Sequence, residues 1–147
     1  MINISRLKNI REDLDIKQET MAEILKVNRS TYSLWELGVN VIPLEHLHGF
    51  AKYFNVSIDY VLGLTNTKNN NKTKIKSLDF KTLGNNLKTL RIKQNLSQEN
   101  IAKILDVTQA CIVRYEKGLI HISTENLYKY SKLFNISMDD LCNKIQK

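Results

Sequence analysis

Residues 18–38 read QETMAEILKVNRSTYSLWELG, and residues 98–118 read QENIAKILDVTQACIVRYEKG. Each stretch opens with Gln-Glu and an apolar run at helical spacing; in the first, Met21, Ile24 and Leu25 point inward. Ala22 and Ala102 are small enough to let a neighbouring helix approach closely. Asn28 and Thr108 are good N-caps for a second helix, which the pattern carries from residue 29 to about residue 37 in the first copy. Gly38 and Gly118 then supply the expected C-terminal stop. A short helix, a tight turn and a second helix closed by glycine is the layout in which the second helix can lie in the DNA major groove.

The echo extends well beyond these stretches. Aligning residues 6–64 with 86–144 at an offset of 80 gives 19 identities in 59 positions, among them Leu7/Leu87, Arg11/Arg91, Phe54/Phe134 and Asp59/Asp139. The chain therefore reads as two copies of one unit of roughly 60 residues, near the lower size limit for folding without disulfides or metal. The expected layout is a first domain over residues 1–65, a linker over 66–78 and a second domain over 79–147. The linker, with NTKNNNKTKIKS at 66–77, is rich in Asn and Lys and has only Ile75 as an apolar residue. It cannot bury enough surface to offset its ordering entropy, so a flexible tether is expected. Its lysines read either as solvated or as phosphate contacts.

Five helices are expected per unit, in an all-α fold with no sheet, because no segment alternates with period two. In the first unit Ile4, Leu7, Ile10, Arg11 and Leu14 fall at helical spacing over residues 4–14. Pro43 stands where a fourth helix begins, with Leu47, Phe50, Ala51 and Phe54 as its core stripe. Ser57 caps a short fifth helix containing Ile58, Val61 and Leu62.

The 147 residues are 42% hydrophobic, enough for a packed core. No run of 18 apolar residues suggests a membrane span, and the N-terminus lacks the pattern of a signal peptide. Two cysteines without metal-ligand spacing point to a reduced, cytoplasmic setting. The formal charge of +7 is uneven. Residues 1–64 hold 7 Lys+Arg against 8 Asp+Glu, residues 65–78 hold 4 Lys and no acid, and residues 79–147 hold 11 against 7. A basic tether joined to a basic second half suits a polyanionic partner. An enzyme is not expected, since HExxH, CxxC, GxSxG and glycine-rich phosphate loops are all missing from the sequence. His46 and His48, two apart on a helix, point different ways and make poor joint ligands, so neither a metal nor a cofactor is implied. Cys111 and Cys142 read as packing residues, with a thiol switch at Cys111 the sharper alternative.

With Gln opening the second helix, Ala four residues on, Val at the turn and an aromatic-Glu-x-Gly ending in both copies, the chain resembles the Cro/lambda-repressor-like helix-turn-helix proteins (the XRE family). The resemblance covers about residues 4–64 and 81–145. Tyr32 and Trp35, three apart, share one face of the third helix, and so do Ile112 and Tyr115; that face is assigned to the core. The opposite face presents Arg29, Ser30, Ser33 and Leu34 in one copy and Gln109, Ala110, Val113 and Arg114 in the other. In the family these positions enter the groove. Arg29 suits guanine O6/N7, Gln109 suits adenine N6/N7, and Arg114 suits guanine or phosphate.

The resemblance also implies phosphate contacts from Gln18 and Gln98 at helix starts, with simple capping as the competing reading. Asn28, Thr108, Asn40, Lys93 and Lys117 are further phosphate candidates. Arg11 with Glu36, and Arg91 with Glu116, recur 25 residues apart, and the family places such a pair as a structural salt bridge. The implied function is a sequence-specific, double-stranded DNA-binding transcriptional regulator reading two unlike half-sites. One departure stands out. Residues 39–42 of the first copy are Val39, Asn40, Val41 and Ile42, where relatives often place polar or basic residues. That strip suits a homodimer or another protein partner, so the alternative is a protein-interaction or antirepressor module that keeps the fold. Lys26 and Asp106 hold turn positions where glycine is common, at slight strain.

Overall fold

The computed structural model describes residues 2–69 and 76–143 and divides the chain into two compact units, one before and one after residue 75. Each is a bundle of five helices, and among the described residues there is no strand. The first unit contains α1 (Ser5–Asp13), α2 (Gln18–Ile24), α3 (Arg29–Glu36), α4 (Leu44–Phe54) and α5 (Ile58–Val61). The second contains α6 (Phe80–Lys93), α7 (Gln98–Leu105), α8 (Gln109–Lys117), α9 (Thr124–Phe134) and α10 (Met138–Cys142). The all-α, tandem architecture expected from the repeat is the one observed.

Each core forms where the apolar stripes converge. Leu7, Met21, Tyr32, Ile42, Leu47, Phe50, Val61 and Leu62 are fully buried in the first unit, and their counterparts in the second, Leu87, Ile101, Ile112, Ile122, Leu127, Tyr130, Leu141 and Cys142, are buried too. Four expectations about the core need correction. Leu14 is 62% exposed, because α1 ends at Asp13 and the chain turns away through Asp15 at φ 56°. Ile24 and Phe54 are only half-buried. Ile42 is fully buried, so the exposed apolar strip after α3 consists of Leu37, Val39 and Val41 instead. Asn28 stands at the N-cap of α3 but makes no side-chain cap bond, whereas the Thr108 hydroxyl accepts from the Cys111 N–H.

The turn between α2 and α3 closes with Lys26 at φ 60° and the Val27 N–H bonded to the Ala22 carbonyl (2.9 Å). Asp106 at φ 57° and Val107 to Ala102 (3.0 Å) repeat it. Both residues thus sit in the left-handed region, the strain anticipated for a non-glycine there.

The copies differ most at the start. Helix α6 begins at Phe80, five residues before the point that matches Ser5, and the added turn lies along the end of α8. Gly84 makes this possible: a Cβ there would collide with the Tyr115 carbonyl oxygen. Phe80 stacks on His121, in the loop that follows α8, with ring centroids 3.9 Å apart. In the first unit Ile4 caps α1 and no such turn exists; Leu37 is 71% and Val39 66% exposed there, and Leu119, the counterpart of Val39, is 69% exposed in the second unit.

The expected linker also departs from a tether that is flexible throughout. Its first residues are fastened to the first unit, with the Ser57 N–H bonded to the Lys68 carbonyl at 2.6 Å; residues 70–75 lie outside the described residues.

His48 is buried on α4, and burial, followed by the nearby Lys52 charge, holds its pKa below the ordinary 6.5. The unfolded chain then takes up a proton that the folded unit resists, so stability is complete above that value and falls as pH drops below it. Trp35 is the only tryptophan, and its fluorescence reports on the first unit alone. Its denaturant midpoint is expected to be lower at about pH 5.5 than at about pH 7.5, and His48→Tyr, the residue at the equivalent position 128, should shrink that difference.

Candidate nucleic-acid interface

The outer face of each third helix is aimed by what holds its inner face. Arg11 on α1 meets Glu36 at the end of α3 side-on, Nε to Oε2 at 2.7 Å and Nη2 to Oε1 at 2.9 Å. Its remaining Nη1 donates to the Ile16 carbonyl at 2.7 Å, and the Gln18 amide donates to Glu36 Oε1 at 3.2 Å. The second unit repeats every link: Arg91 to Glu116 at 2.6 and 3.1 Å, Arg91 to the Leu96 carbonyl at 2.9 Å, and Gln98 to Glu116 at 3.1 Å. One carboxylate therefore ties the first helix, the loop after it, the start of the second helix and the end of the third. The Glu36 and Glu116 side chains are only 2% and 3% exposed, which makes these pairs buried rather than superficial.

Burial alone would push the Glu36 carboxyl up, but the bonds from the Arg11 guanidinium and the Gln18 amide outweigh it and hold the pKa below the ordinary range. Arg11 is raised in turn, first by its bond to Glu36. A buried phenol completes each cluster, and the two units supply it from different helices. Tyr32 lies on α3, four residues before Glu36 and hence on the same face. Its equivalent in the second unit is Ile112, and the phenol there is Tyr130 of α9, whose equivalent in the first unit is Phe50. Both rings are fully buried, and neither hydroxyl has a partner at ordinary hydrogen-bond distance among the described residues. Burial and the neighbouring glutamate drive both phenols far up in pKa, so they remain neutral.

Tyr32, Trp35, Ile112 and Tyr115 all face the core. Trp35 packs on His46 with ring centroids 5.2 Å apart, while Tyr115 at the same position accepts a bond from the Asn126 amide at 3.0 Å. On the outer face Arg29, Ser30, Gln109, Ala110 and Arg114 are exposed, and Ser33, Leu34 and Val113 are half-buried. The exposed ends of these side chains are charged or amide-bearing at Arg29, Gln109 and Arg114. Ser33, Leu34 and Val113 offer at most a hydroxyl or an apolar contact.

The phosphate candidates separate more sharply. Gln18 and Gln98 are half-buried, and each spends one amide N–H on the glutamate of its cluster. Asn28, Asn40, Lys93 and Lys117 are exposed. Thr108 is exposed too, although its hydroxyl oxygen is engaged as a cap. A cleft in the first unit brings Arg29 together with Gln18, Arg11, Glu19 and Lys17. Lys17 is a cation that the sequence pattern does not single out, because its counterpart is Ser97, which forms a capping box with Asn100. Only the folded cleft shows that Lys17 and Arg29 converge.

Cys142 is buried, and Cys111 is half-buried on α8. Among the described residues no cluster of His, Cys, Asp or Glu has the arrangement of a metal site, and no helix is long and apolar enough to cross a membrane.

Two buried Arg–Glu pairs, each locking a third helix with its other face outward, define a tandem helix-turn-helix protein. The chain belongs to the helix-turn-helix family HTH_3, which matches residues 7–61 and 87–141. It is 35% identical over 60 residues to the HTH-type transcriptional regulator YobD of Bacillus subtilis, covering 41% of this chain and 54% of that one. Against the HTH-type transcriptional activator BcrR of Enterococcus faecalis it is 31% identical over 77 residues, 50% of this chain and 38% of that one. An HTH-type transcriptional regulator of Methanocaldococcus jannaschii is 37% identical over 57 residues, 39% of this chain and 86% of that one. Among solved structures, the restriction-modification controller protein C.AhdI from Aeromonas hydrophila matches with a TM-score of 0.40 at 27% identity, over 43% of this chain and 96% of that one. The chain thus spans about half the length of YobD and less than that of BcrR.

Glu36→Ala strands the buried Arg11 charge and is expected to cost the first unit about 3–5 kcal/mol. A drop in the Trp35 unfolding midpoint checks this, and Glu116→Ala should leave that signal where it is. Exchanging the phenol's donor helix, Tyr32→Ile with Phe50→Tyr, copies the second unit's arrangement into the first. The pair should destabilise the Trp35 transition by less than Tyr32→Ile alone, a non-additivity that a double-mutant cycle measures.

Proposed function

We propose that the chain is a DNA-binding transcriptional regulator in which α3 and α8 read the major groove of double-stranded DNA. The observation that carries this is the pairing of locked inner faces with outward Arg29, Gln109 and Arg114. Membership of the helix-turn-helix family and relatives named as transcriptional regulators support the same reading. Arg29 is assigned to guanine, Gln109 to adenine and Arg114 to guanine or phosphate, with Ser30, Ser33, Leu34, Ala110 and Val113 shaping the fit. Gln18, Gln98, Asn28, Thr108, Asn40, Lys93 and Lys117, joined by Lys17, are assigned to phosphate. Because the two outer faces share none of the four residues compared, the half-sites should differ in sequence. The protein acts in the cytoplasm, as a regulator and not as an enzyme, without a cofactor.

A second reading has its own support. Leu37, Val39 and Val41 form an exposed apolar strip at the end of α3, in the unit whose helical part, residues 1–64, has a net charge of −1. There the first unit would dock a protein, a second copy of this chain included, while the second unit binds DNA.

Selection from random duplex DNA at low salt, followed by titration against the enriched sequences, tests the proposal. Wild-type binding should weaken steeply as salt rises, through counterion release. Arg29→Ala with Gln109→Ala should lose about 1–3 kcal/mol per contact, roughly 5- to 150-fold each, with folding intact. No enriched sequence for the folded protein would overturn the regulator reading. Enrichment insensitive to Arg29→Ala but abolished by Gln109→Ala would favour the second reading.

A further inference from the structure

We propose that Arg6 is a tether clamp that sets how far the second unit can reach, and hence which separation of two DNA half-sites the chain accepts. The inference rests on the reading that both units bind DNA. Arg6 projects from α1 onto the segment leaving α5. Its Nη1 donates to the Tyr60 carbonyl at 2.9 Å and to the Thr65 carbonyl at 2.5 Å, and Nη2 donates to Asn66 Oδ1 at 2.6 Å. The guanidinium also lies over the Tyr60 ring, 4.4 Å from its centroid. Four partners of one half-buried cation hold residues 65 and 66 against the unit. The next residues follow the same surface: the Ser57 N–H binds the Lys68 carbonyl at 2.6 Å, and the Asn69 amide reaches Asn55 Oδ1 at 3.3 Å.

The second unit shows what a plain fold tie at this position looks like. Asn86, the equivalent of Arg6, donates to the carbonyls of Leu141 and Asn143, which correspond to residues 61 and 63. Its short side chain fastens the last helix and stops there. Arg6 does that work at Tyr60 and then extends to Thr65 and Asn66, beyond the last helix and into the connection.

The consequence is a matter of covalent reach. From Asn69 to Asp79, the N-cap of α6, there are ten Cα–Cα steps, which span at most about 33–36 Å. Without the clamp and the Asn69 bond, one backbone bond, Ser57 N–H to the Lys68 carbonyl, is left to hold the segment; when that single exposed bond opens, the last internal tie is the Leu64 N–H on the Asp59 carbonyl at 2.8 Å. Moving the anchor back from residue 69 to 64 adds five steps, roughly 17 Å, or about five base pairs of rise.

The test is selection of the full chain on random duplex DNA, with the distribution of distances between the two enriched motifs read by sequencing. Arg6→Asn copies the second unit and keeps a tie to the last helix. Combined with Asn69→Ala, it should extend the accepted separations by about five base pairs while leaving both motifs unchanged. Five Gly/Ser residues inserted after Lys72 in the wild-type chain should have a similar effect. If the insertion broadens the distribution and the Arg6→Asn, Asn69→Ala variant coincides with wild type, the clamp is overturned. If neither changes a distribution that holds two motifs, separation is set elsewhere and the clamp is again overturned. Wild-type selection yielding a single motif would overturn the two-unit reading itself and the clamp with it.

Discussion

Everything in this chain that faces outward depends on a carboxylate that faces inward. Glu36 and Glu116 are almost entirely buried, and a buried carboxylate is tolerated only if its charge and lone pairs are met. Side-on guanidinium pairing meets them with two parallel bonds, and that geometry leaves little freedom in how the first and third helices cross. The third nitrogen of each arginine and the Gln18 or Gln98 amide add the connecting loop and the second helix. The glutamine at the start of the second helix is thus anchored to the same pair that fixes the third helix.

The two units solve the same packing problem with different parts. A phenol comes from α3 in one and from α9 in the other, yet each is buried beside the glutamate. Where Trp35 packs on His46, Tyr115 bonds to Asn126. Such exchanges keep volume and polarity near constant at a site while individual positions vary, as a close-packed core requires. They also explain why identity between the copies is modest although the helices follow in the same order. On the surface no such constraint acts, and there the units diverge: Leu37 and Val41 stand exposed after α3 where the second unit has Lys117 and a His121 stacked on Phe80.

Much of this was legible beforehand. The offset of 80, the glutamine and alanine at fixed places in the second helix, and the glycine stops identified two tandem bundles, because a small core admits few side chains at its contact points. The partition of each third helix into core and outer faces followed from a spacing of three. Other features were not legible. Leu14 and Ile42 exchanged places between core and surface because helix ends and loop paths, and not periodicity, decide their exposure. Asn28 occupies a cap position without capping through its side chain. Gly84 reads in isolation as a weak point within a helix, and its use appears only where α6 crosses the Tyr115 carbonyl.

By itself, then, the sequence determined the number of units, their helices, most of the apolar stripe of each helix and the side chains offered outward, since these follow from local periodicity and from comparing one copy with the other. Tertiary structure alone decided how those parts are held. Arg6 and Asn86 differ in length by a few bonds, and nothing in either residue type says that one stops at the last helix while the other continues onto Thr65 and Asn66. Likewise Lys17 joins Arg29 in one cleft because two helix starts, eleven residues apart in the chain, are brought to the same place. Long-range contacts of this kind depend on the relative placement of whole helices, which no local pattern encodes.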